Sequence, residues 1–472
     1  MTSGKEIIKG HRSMRTISLA SLGCSKNLVD SEVMLGLLSQ AGYEVVESYL
    51  DADVIIVNTC AFIGPAKEES IDTILELARF KEDGRCSSLV VTGCMAQRYS
   101  KELVSDIPEI DAVIGVHQYQ QIVSLLDQLQ NDGDTLRDIR RVPLATDFSY
   151  PRILQTPRHS VYLKIAEGCD RRCTFCIIPA IRGKQSSRTV ASLVEETRNL
   201  AATGARELNL ISQDTTWYGK DLPEPATLPD LLRGLNDVEG IQWIRPLYNH
   251  PVRFTDEIIQ TIAELEHVCN YIDMPLQHIS DHMLTEMNRE TSRKETEQLL
   301  KKMQCVIPDL TFRTTFIVGF PGETEDDFQQ LFNFVAESAF DRVGVFLYSV
   351  EEHTPAARYS DQVPEEVKQE RFDQLMELQR DISLDRNQAL VGKTLNVLID
   401  ESGRVDAPAI GRTEADAPEV DNEVLIYDTQ VKQGTFLRAR IVDALEYDLV
   451  GEVAHPEQEA LQIIETSKPR IL

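Results

Sequence analysis

Three cysteines close together in the chain have the spacing of a metal-cluster motif. They stand as Cys169-x3-Cys173-x2-Cys176, directly after a predicted strand at Val161–Ala166. A loop of this size can wrap one face of an iron–sulfur cluster with three thiolates, which leaves one iron without a protein ligand. An open coordination position lets a metal centre act on a small molecule, so the motif indicates catalysis. The alternatives are a structural zinc knot and three unlinked thiols, although no fourth cysteine follows nearby to close a zinc site.

A second set of cysteines is dispersed but regular. Cys24, Cys60 and Cys94 each follow a predicted strand, at intervals close to the length of one strand–helix–strand unit. Because the carboxyl ends of parallel strands share one edge of a sheet, the three thiols could meet there. Gly23 and Gly93 would let the backbone approach a bulky cluster. The alternative is that buried free cysteines lie at strand ends by chance.

The other cysteines and three loop histidines are expected to bind no metal. Nine cysteines in a long chain do not suggest a disulfide framework, because the number is odd and cytosolic thiols are kept reduced. A lone histidine near a loop is usually a surface or capping group. The residues interpreted as bystanders are Cys86, Cys269, Cys305, His278, His282 and His353.

Strand and helix signals predict an α/β protein of three domains. Alternation over residues 14–130 predicts a parallel sheet flanked by helices. Proline-containing residues 131–154 are expected to form an irregular linker that folds the first domain over the mouth of the second. Six strand–helix units within residues 155–387 predict a (βα)6 partial TIM-like barrel with active residues at the carboxyl ends of its strands. Short strands and glycine-containing turns over residues 388–455 predict a small antiparallel β-barrel.

The composition favours basic partners in an aqueous compartment. Asp and Glu number 76 against 48 Lys and Arg, a formal charge of −28 that repels nucleic acid phosphates. The hydrophobic fraction of 42% is ordinary for a soluble protein. No apolar run approaches the roughly 18 to 20 residues of a membrane helix, and residues 1–15 lack the apolar region of a secretory signal. We therefore expect a cytoplasmic protein without membrane contact.

Together these motifs resemble a known enzyme family. The Cys169-x3-Cys173-x2-Cys176 loop after the first barrel strand looks like that of the radical S-adenosylmethionine (SAM) superfamily, and Thr315–Glu323 (TFIVGFPGE) resembles its strand-five segment near the adenine. Alone, this second segment could be a simple turn. The added cysteines at 24, 60 and 94 make the chain similar to the methylthiotransferases, with a C-terminal TRAM domain (OB-like).

The resemblance implies two [4Fe-4S] clusters, one on each cysteine trio, with SAM bound at the open iron of the barrel cluster. It also implies an electron donor, such as a flavodoxin-like protein. One SAM would methylate a sulfur held at the N-terminal cluster, and a second would be cleaved to a 5′-deoxyadenosyl radical. That radical would remove a hydrogen from an unactivated carbon, which then takes up the methylated sulfur.

Two features favour a protein substrate over tRNA. Gln213-Asp214-Thr215 resembles the segment of enzymes that modify an aspartate of small-subunit ribosomal protein twelve, whereas the tRNA enzymes tend to have Gln-Asn. Residues 390–455 contain thirteen acidic and six basic residues, which suits a basic ribosomal protein better than RNA, although acidity can also serve solubility. The predicted product is 3-methylthioaspartate. The alternatives are a tRNA adenosine methylthiotransferase, a non-enzymatic iron–sulfur carrier and a zinc-binding scaffold.

Overall fold

The computed structural model describes residues 15–132, 135–141, 150–428 and 430–454. The chain divides into two compact units, one formed by the residues up to 144 together with 150–155 and the other by the remainder. Among the described ranges we find no helix with both the length and the apolar character needed to cross a lipid bilayer. The expectations for the segment before Arg15 and for residues 142–149 lie outside the described residues.

The first unit is built on a parallel sheet with helices on both sides. Its strands are β1 (Thr16–Ser21), β2 (Glu44–Val45), β3 (Val54–Thr59), β4 (Ser88–Gly93), β5 (Ala112–Ile114) and β6 (Leu136–Asp138), in the order β2-β1-β3-β4-β5-β6. Its helices are α1 (Ser25–Gln40), α2 (Gly64–Ala78), α3 (Phe80–Asp83), α4 (Cys94–Arg98), α5 (Ser100–Asp106) and α6 (Ile122–Asp132).

The centre of this sheet is apolar on both faces, as a strand covered by helices must be. Every residue of β3 is buried, and its β-branched run packs with α1 and α6 in one core. Each neighbouring pair of strands is parallel. The predicted N-terminal domain is therefore confirmed in architecture.

The prediction of an irregular linker over residues 131–154 is wrong where the structure describes it. Strand β6 pairs in parallel with β5, so the sheet continues into the segment. Further on, residues 150–155 lie against α1, where Glu32 binds Arg152 at 2.5 Å and accepts the Gln155 N–H at 2.8 Å. A three-residue edge strand carries too little periodicity to be recognised, because its partner strand supplies the hydrogen bonds.

The second unit contains six parallel barrel strands followed by a small closed barrel. The parallel strands are β7 (Ser160–Lys164), β10 (Glu207–Ile211), β11 (Trp243–Pro246), β12 (Tyr271–Asp273), β13 (Thr311–Val318) and β14 (Arg342–Leu347), and a short hairpin is formed by β8 (Ala166–Glu167) and β9 (Ser186–Ser187). The helices are α7 (Ile178–Arg182), α8 (Val190–Ala202), α9 (Leu228–Asn236), α10 (Asp256–Glu264), α11 (Asp281–Glu286), α12 (Arg293–Val306), α13 (Glu325–Ser338) and α14 (Glu365–Gln388).

The six strands form two parallel three-stranded sheets, β7-β10-β11 and β12-β13-β14. A single parallel bridge, between Ile244 and Val268, lies where the two sheets meet. The predicted partial barrel is confirmed, with its ladder interrupted between β11 and β12. Several outer helices begin at side-chain caps with a reciprocal hydrogen bond, which explains their sharp starts at Thr227, Ser292 and Thr324.

The closing module is a five-stranded barrel ordered β15-β16-β17-β19-β18, and β16 was not anticipated from the sequence. Its strands are β15 (Thr394–Glu401), β16 (Ala409–Thr413), β17 (Val424–Ile426), β18 (Phe436–Ala444) and β19 (Leu449–Val453). The pairing of β17 with β19 is parallel and the other pairings are antiparallel, so the predicted barrel contains one exception to the antiparallel rule.

The small barrel is joined to the amino-terminal ends of the parallel strands by buried ion pairs. Arg412 binds Glu207 at 2.8 Å, and Asp416 binds Arg342 at 2.6 Å. Part of the acidic charge counted in this module is therefore neutralised within the chain. The acidity of residues 390–455 is consequently a weaker argument for a basic partner than the sequence suggested.

Candidate functional site

The three dispersed cysteines lie at the carboxyl ends of adjacent strands. Cys24 follows β1 and precedes the first turn of α1, Cys60 follows β3, and Cys94 is the first residue of α4 after β4. Cys24 is exposed, whereas Cys60 and Cys94 are buried. The strand order β1-β3-β4 therefore brings together at one edge three residues that lie 36 and 34 positions apart.

Glycines make this edge compact. A Cβ atom at Gly23 would lie 2.6 Å from Cys60 Cβ, so the loops after β1 and β3 touch at a point where only glycine fits. Gly93 adopts φ +93°, and a Cβ there would collide with the Asn58 side chain and the Thr59 carbonyl. Both glycines hold the cysteines that follow them close to the neighbouring strand ends.

Asn27 connects the three cysteine loops, and it was not among the residues singled out from the sequence. Its amide nitrogen donates to the carbonyl oxygens of Leu22 at 3.0 Å and Thr59 at 2.9 Å. Its amide oxygen lies 3.9 Å from the sulfur of Cys94. One buried side chain thus contacts each loop that carries a thiol, and its place three residues after Cys24 was the available signal.

The donor set suits a cluster better than a single ion. In the part of the chain that the structure describes, no three His, Cys, Asp or Glu side chains are close enough to hold one metal ion. Each thiolate of a four-iron cluster binds its own iron, so cluster ligands stand farther apart than the ligands of one ion. An all-thiol set of three at one strand edge fits such a cluster.

The second trio lies in the loop after β7. The Cys169 N–H donates to the Gly183 carbonyl at 3.1 Å, and the Cys176 N–H donates to the Cys173 carbonyl at 3.1 Å, which coils the loop tightly. Thr174 anchors it to the end of α11 through its hydroxyl, 2.7 Å from the Glu286 carbonyl. The loop is therefore held from both sides of the barrel mouth.

The thiols of this loop need a cation to ionise. Burial raises the pKa of Cys169 to about 12 and that of Cys176 to about 12, and each is raised further by the neighbouring Cys173. A buried thiol deprotonates when a metal replaces its proton. Three neighbouring thiols on one loop, two of them desolvated, fit an iron–sulfur cluster with one iron left open.

Arginine side chains accompany the loop. The Arg289 guanidinium lies 3.5 Å from the sulfur of Cys173, and the Arg171 backbone N–H donates to the sulfur of Cys169 at 3.4 Å. Positive charge and N–H donors stabilise the excess negative charge of a thiolate cluster. Arg289 is distant in sequence from the motif, so spacing alone could not have revealed it.

The Gln-Asp-Thr segment at the end of β10 also contacts the cysteine loop. Asp214 is buried and binds Arg171 Nε at 2.7 Å, and Arg171 reaches exposed Glu290 at 3.1 Å. Gln213 donates to Glu167 at 3.2 Å. The segment that suggested a protein substrate is thus tied directly to residues on either side of Cys169.

A second charged group borders the motif. Burial alone would raise the pKa of Glu167, but the charges of Arg182 and Lys164, at 2.8 and 3.0 Å, hold it below its ordinary value. The carboxylate is therefore ionised and shared between two cations. This arrangement fixes the chain immediately before the cluster loop.

The Gly-Phe-Pro-Gly turn after β13 is held mainly by its own glutamate. The Glu323 carboxylate accepts the Gly319 N–H, binds Arg371 at 3.1 Å and approaches His278 at 3.4 Å. These contacts give the turn a rigid shape at the carboxyl edge of the barrel. A contact with adenine stays a prediction.

The bystander residues differ in their surroundings. His282 is half exposed and bonds to Asp327, as a capping group would. His278 is fully buried and not at the surface; its Nδ1 accepts the Ser280 N–H at 3.0 Å, at the start of α11, and its Nε2 lies 3.4 Å from Glu323. Cys305 is exposed, whereas Cys86 and Cys269 are buried.

His250 is a further residue at the mouth that the sequence argument passed over. It is the fourth residue after β11, and its side chain is buried, with Nδ1 accepting the Val252 N–H at 3.4 Å. Its Nε2 has no hydrogen-bond partner. Its position just beyond a strand end, like those of the cysteines, was the signal that could have identified it.

Three family profiles match successive parts of the chain. They are described as uncharacterized protein family UPF0004 over residues 16–115, the radical SAM superfamily over 163–335 and the TRAM domain over 391–454. They agree with the three predicted domains in kind and order.

Solved structures with a similar fold include the radical SAM methyltransferase TsrM from Kitasatospora setae. That chain superposes with a TM-score of 0.56 at 16% identity, covering 73% of this chain and 74% of its own. The cobalamin-dependent radical SAM enzyme OxsB gives a TM-score of 0.50 at 13% identity, covering 77% of this chain and 56% of its own. At these identities the likeness concerns the fold alone.

Curated relatives are far more similar in sequence. The ribosomal protein uS12 methylthiotransferase RimO of Geobacter sulfurreducens is 46% identical over 93% of this chain and 98% of its own length. The same-named proteins of Desulforamulus reducens and Heliobacterium modesticaldum are 46% and 47% identical, covering 93% and 92% of this chain and 100% and 94% of their own lengths. The chain therefore belongs to the ribosomal protein uS12 methylthiotransferase family of radical SAM enzymes.

Proposed function

We propose that this enzyme attaches a methylthio group to the β-carbon of an aspartate in ribosomal protein uS12, giving 3-methylthioaspartate. The observation that carries the proposal is the pair of all-cysteine sites, each at the carboxyl edge of a parallel sheet, in a chain similar along its length to uS12 methylthiotransferases. The reaction needs radical chemistry because the β-carbon hydrogen is not acidic enough for a side-chain base.

Cys169, Cys173 and Cys176 are the proposed ligands of the cluster that cleaves SAM. When bound, a reduced four-iron cluster supplies the electron that breaks SAM into methionine and a 5′-deoxyadenosyl radical. The chain's own residues coil the loop, bury the Cys169 side chain and place Arg289 beside Cys173. Burial also keeps water away from a radical that must reach the substrate.

Cys24, Cys60 and Cys94 are the proposed ligands of a second four-iron cluster, which would supply the iron that holds the sulfur for methylation and transfer. Their position at one edge of adjacent strands, the close approach at Gly23 and the shared contact of Asn27 support this assignment. The exposure of Cys24 leaves one side of the site accessible to SAM and to a sulfur source.

The protein substrate is supported by the names of the relatives and by Asp214. That residue belongs to the Gln-Asp-Thr segment, and it holds an arginine of the cluster loop. The reaction also needs an electron donor, such as a flavodoxin-like or similar protein. We place the reaction in the cytoplasm, where uS12 is made and assembled.

The deciding experiment incubates anaerobically reconstituted enzyme with SAM, reductant and either uS12 or tRNA. We expect a methylthio mass increase on uS12, located to an aspartate by peptide mass spectrometry. An increase on tRNA alone would instead identify a tRNA adenosine methylthiotransferase. Absence of 5′-deoxyadenosine, with clusters present, would identify a non-enzymatic iron–sulfur carrier, and zinc without iron and sulfide would identify a scaffold.

Matched cysteine variants distinguish the roles of the two cysteine trios. Cys60→Ala should leave 5′-deoxyadenosine formation in place but stop methylthiolation, and it should remove about four iron atoms per chain. Cys86→Ala is the control, because Cys86 is buried in the same unit and away from the strand edge that carries the trio. If Cys60→Ala methylthiolates uS12 normally, the second cluster assignment fails.

A further inference from the structure

Three buried nitrogen donors near the cysteine loop have no hydrogen-bond partner. They are Arg171 Nη2, His250 Nε2 and Arg289 Nε, which we call the donor cluster. The Arg171 side chain is 10% exposed, and His250 and Arg289 are 7% and 4% exposed. Buried polar groups are nearly always satisfied, so three orphaned donors in one region indicate a missing acceptor.

The members of the donor cluster lie near one another around the mouth of the barrel. The positive charges of Arg289 and Arg171, after burial itself, lower the pKa of His250, and Arg253 adds to the effect. Arg171 and Arg253 both approach the ring of Trp217, at 5.5 and 3.5 Å from its centroid. The strand ends after β7, β10 and β11 thus direct their side chains to a common region.

His250 can only donate a hydrogen bond from this position. Its Nδ1 accepts the Val252 N–H, so that nitrogen carries no hydrogen and the hydrogen of the neutral ring resides on Nε2. The guanidinium nitrogens of Arg171 and Arg289 are also donors and never acceptors. A ligand that satisfies all three must therefore present acceptor atoms to them, and a carboxylate does so with two oxygens.

The local charge favours an anion as well. Arg171 is balanced by Asp214 and exposed Glu290. Arg289 contacts a thiol sulfur and the Pro275 carbonyl, and neither it nor Arg253 has an acidic partner in the part of the chain that the structure describes. The buried guanidinium of Arg289 thus contacts no carboxylate within the described residues, and exposed Arg253 adds a second positive charge at the mouth.

We propose that the donor cluster binds the side-chain carboxylate of the target aspartate, with Asp214 as the residue that positions Arg171. The inference rests on the proposed function and names how that substrate is recognised. The carboxylate is bonded directly to the β-carbon, so holding it fixes the carbon that loses its hydrogen. An adenosine base carries no such anion, so the donor cluster would also select protein over tRNA.

The test measures coupling between Arg171 and the substrate carboxylate. Binding of uS12, and of uS12 with asparagine in place of the target aspartate, is followed by fluorescence anisotropy on the anaerobic holoenzyme. We expect the wild type to bind the aspartate form about tenfold more tightly, a typical effect of one charge-assisted contact. Arg171→Gln should reduce this preference to within about twofold.

Further variants distinguish a lost contact with the substrate carboxylate from general damage to the fold. Arg172→Gln is the matched control, because it removes the same charge from an exposed neighbour in the same loop and should keep the preference. His250→Phe should lose the preference although it lies outside the cysteine loop, and His250→Gln should restore most of it by supplying an N–H donor. Iron content, measured on each variant, shows that the clusters are present.

The outcomes separate the possible failures. An unchanged preference in Arg171→Gln and His250→Phe, with uS12 still modified by the wild type, would overturn this inference alone. Weaker binding of SAM with an unchanged preference would assign the donor cluster to the methionyl carboxylate of SAM and also overturn it. A wild type that neither binds nor modifies uS12 would overturn the proposed function together with the inference.

Discussion

The two ends of the parallel-stranded barrel differ in whether their buried charged side chains have all their hydrogen-bond partners. At the amino-terminal end, Glu207 is bound by Arg245 at 3.1 Å and by Arg412 at 2.8 Å, while Ser160 donates to it at 2.7 Å. At the carboxyl end, Arg171, His250 and Arg289 each keep a buried donor without a partner. The buried charges at the amino-terminal end are paired with one another, whereas three buried donors at the carboxyl end have no acceptor.

A second network at the amino-terminal end repeats the pattern. Arg313 binds Asp273 at 2.8 Å and Asp421 at 3.3 Å, and the Tyr271 hydroxyl donates to Asp421 at 2.6 Å. Both networks join the barrel to the TRAM domain. Completed buried networks specify a structure, whereas incomplete ones identify positions where a ligand supplies what is missing.

The largest effect is expected from the cluster loop at the carboxyl end. Cys173→Ala should reduce 5′-deoxyadenosine formation to background, because the cluster loses one of three ligands. Product is quantified by liquid chromatography, and Cys305→Ala, an exposed cysteine on α12, serves as the control. If Cys173→Ala cleaved SAM at the wild-type rate, Cys173 could not be a ligand of the cluster that cleaves SAM.

The paired end should respond in stability rather than in chemistry. Glu207→Gln leaves Arg245 and Arg412 buried without their carboxylate, and removing one partner of a buried ion pair costs about 3 to 5 kcal/mol. Urea unfolding of the anaerobic protein measures this loss. SAM cleavage per folded molecule should stay at the wild-type level, and a selective loss of cleavage would contradict the division between the two ends.

Acid should remove the same contribution from the wild type. Although burial alone opposes ionisation, Arg412 and Arg245 lower the pKa of Glu207 to about 2 from an ordinary value of 4.5. A depressed pKa gives stability that is full above about pH 4.5 and is lost as the pH falls toward 2, amounting to about 3 kcal/mol. The difference in unfolding free energy between wild type and Glu207→Gln should therefore shrink between pH 5 and pH 3.

Substitution of Asp214 tests whether its carboxylate alone positions Arg171 in the donor cluster. Asp214→Asn keeps the size of the side chain but removes the charge that orients Arg171. We expect the preference for aspartate over asparagine in uS12 to fall from about tenfold to about threefold, since one hydrogen bond to Arg171 can remain. The melting temperature should fall by less than in Glu207→Gln, because Arg171 keeps Glu290 as a partner. A lower melting temperature with an intact preference would indicate a merely structural role for Asp214.

The smallest effect is expected at the surface. Arg233 and Glu257 form an exposed ion pair at 3.2 Å, with side chains 49% and 56% accessible. Glu257→Gln should change the free energy of unfolding by less than about 1 kcal/mol, as exposed pairs generally do. Measured beside Glu207→Gln, it calibrates how much burial contributes to the ion pair at the barrel end, and an equal loss in both variants would contradict that ranking.

The helices and strands that could be predicted from the sequence are those whose periodicity and end residues lie within a short stretch of chain. The apolar run of β3, the helix after Cys24 and the strand before Cys169 were recognised because period and end signals lie within a few residues of one another. Strands β6 and β16, which are short and depend on hydrogen bonds from partner strands, were missed. The complete burial of His278 was also not anticipated, since a surface or capping position was expected for it.

The sequence by itself determined which cysteines could be proposed as cluster ligands, because the cysteine spacing and the strand that precedes each set are visible in the order of residues alone. Only the tertiary structure decided what surrounds them. Arg412 meets Glu207 across 205 positions, and Arg289 reaches Cys173 across 116. The packing of whole helices and strands brings such partners together. Burial then makes an unpaired charge costly, so the pairing is stable once the elements are packed. No local sequence pattern specifies it.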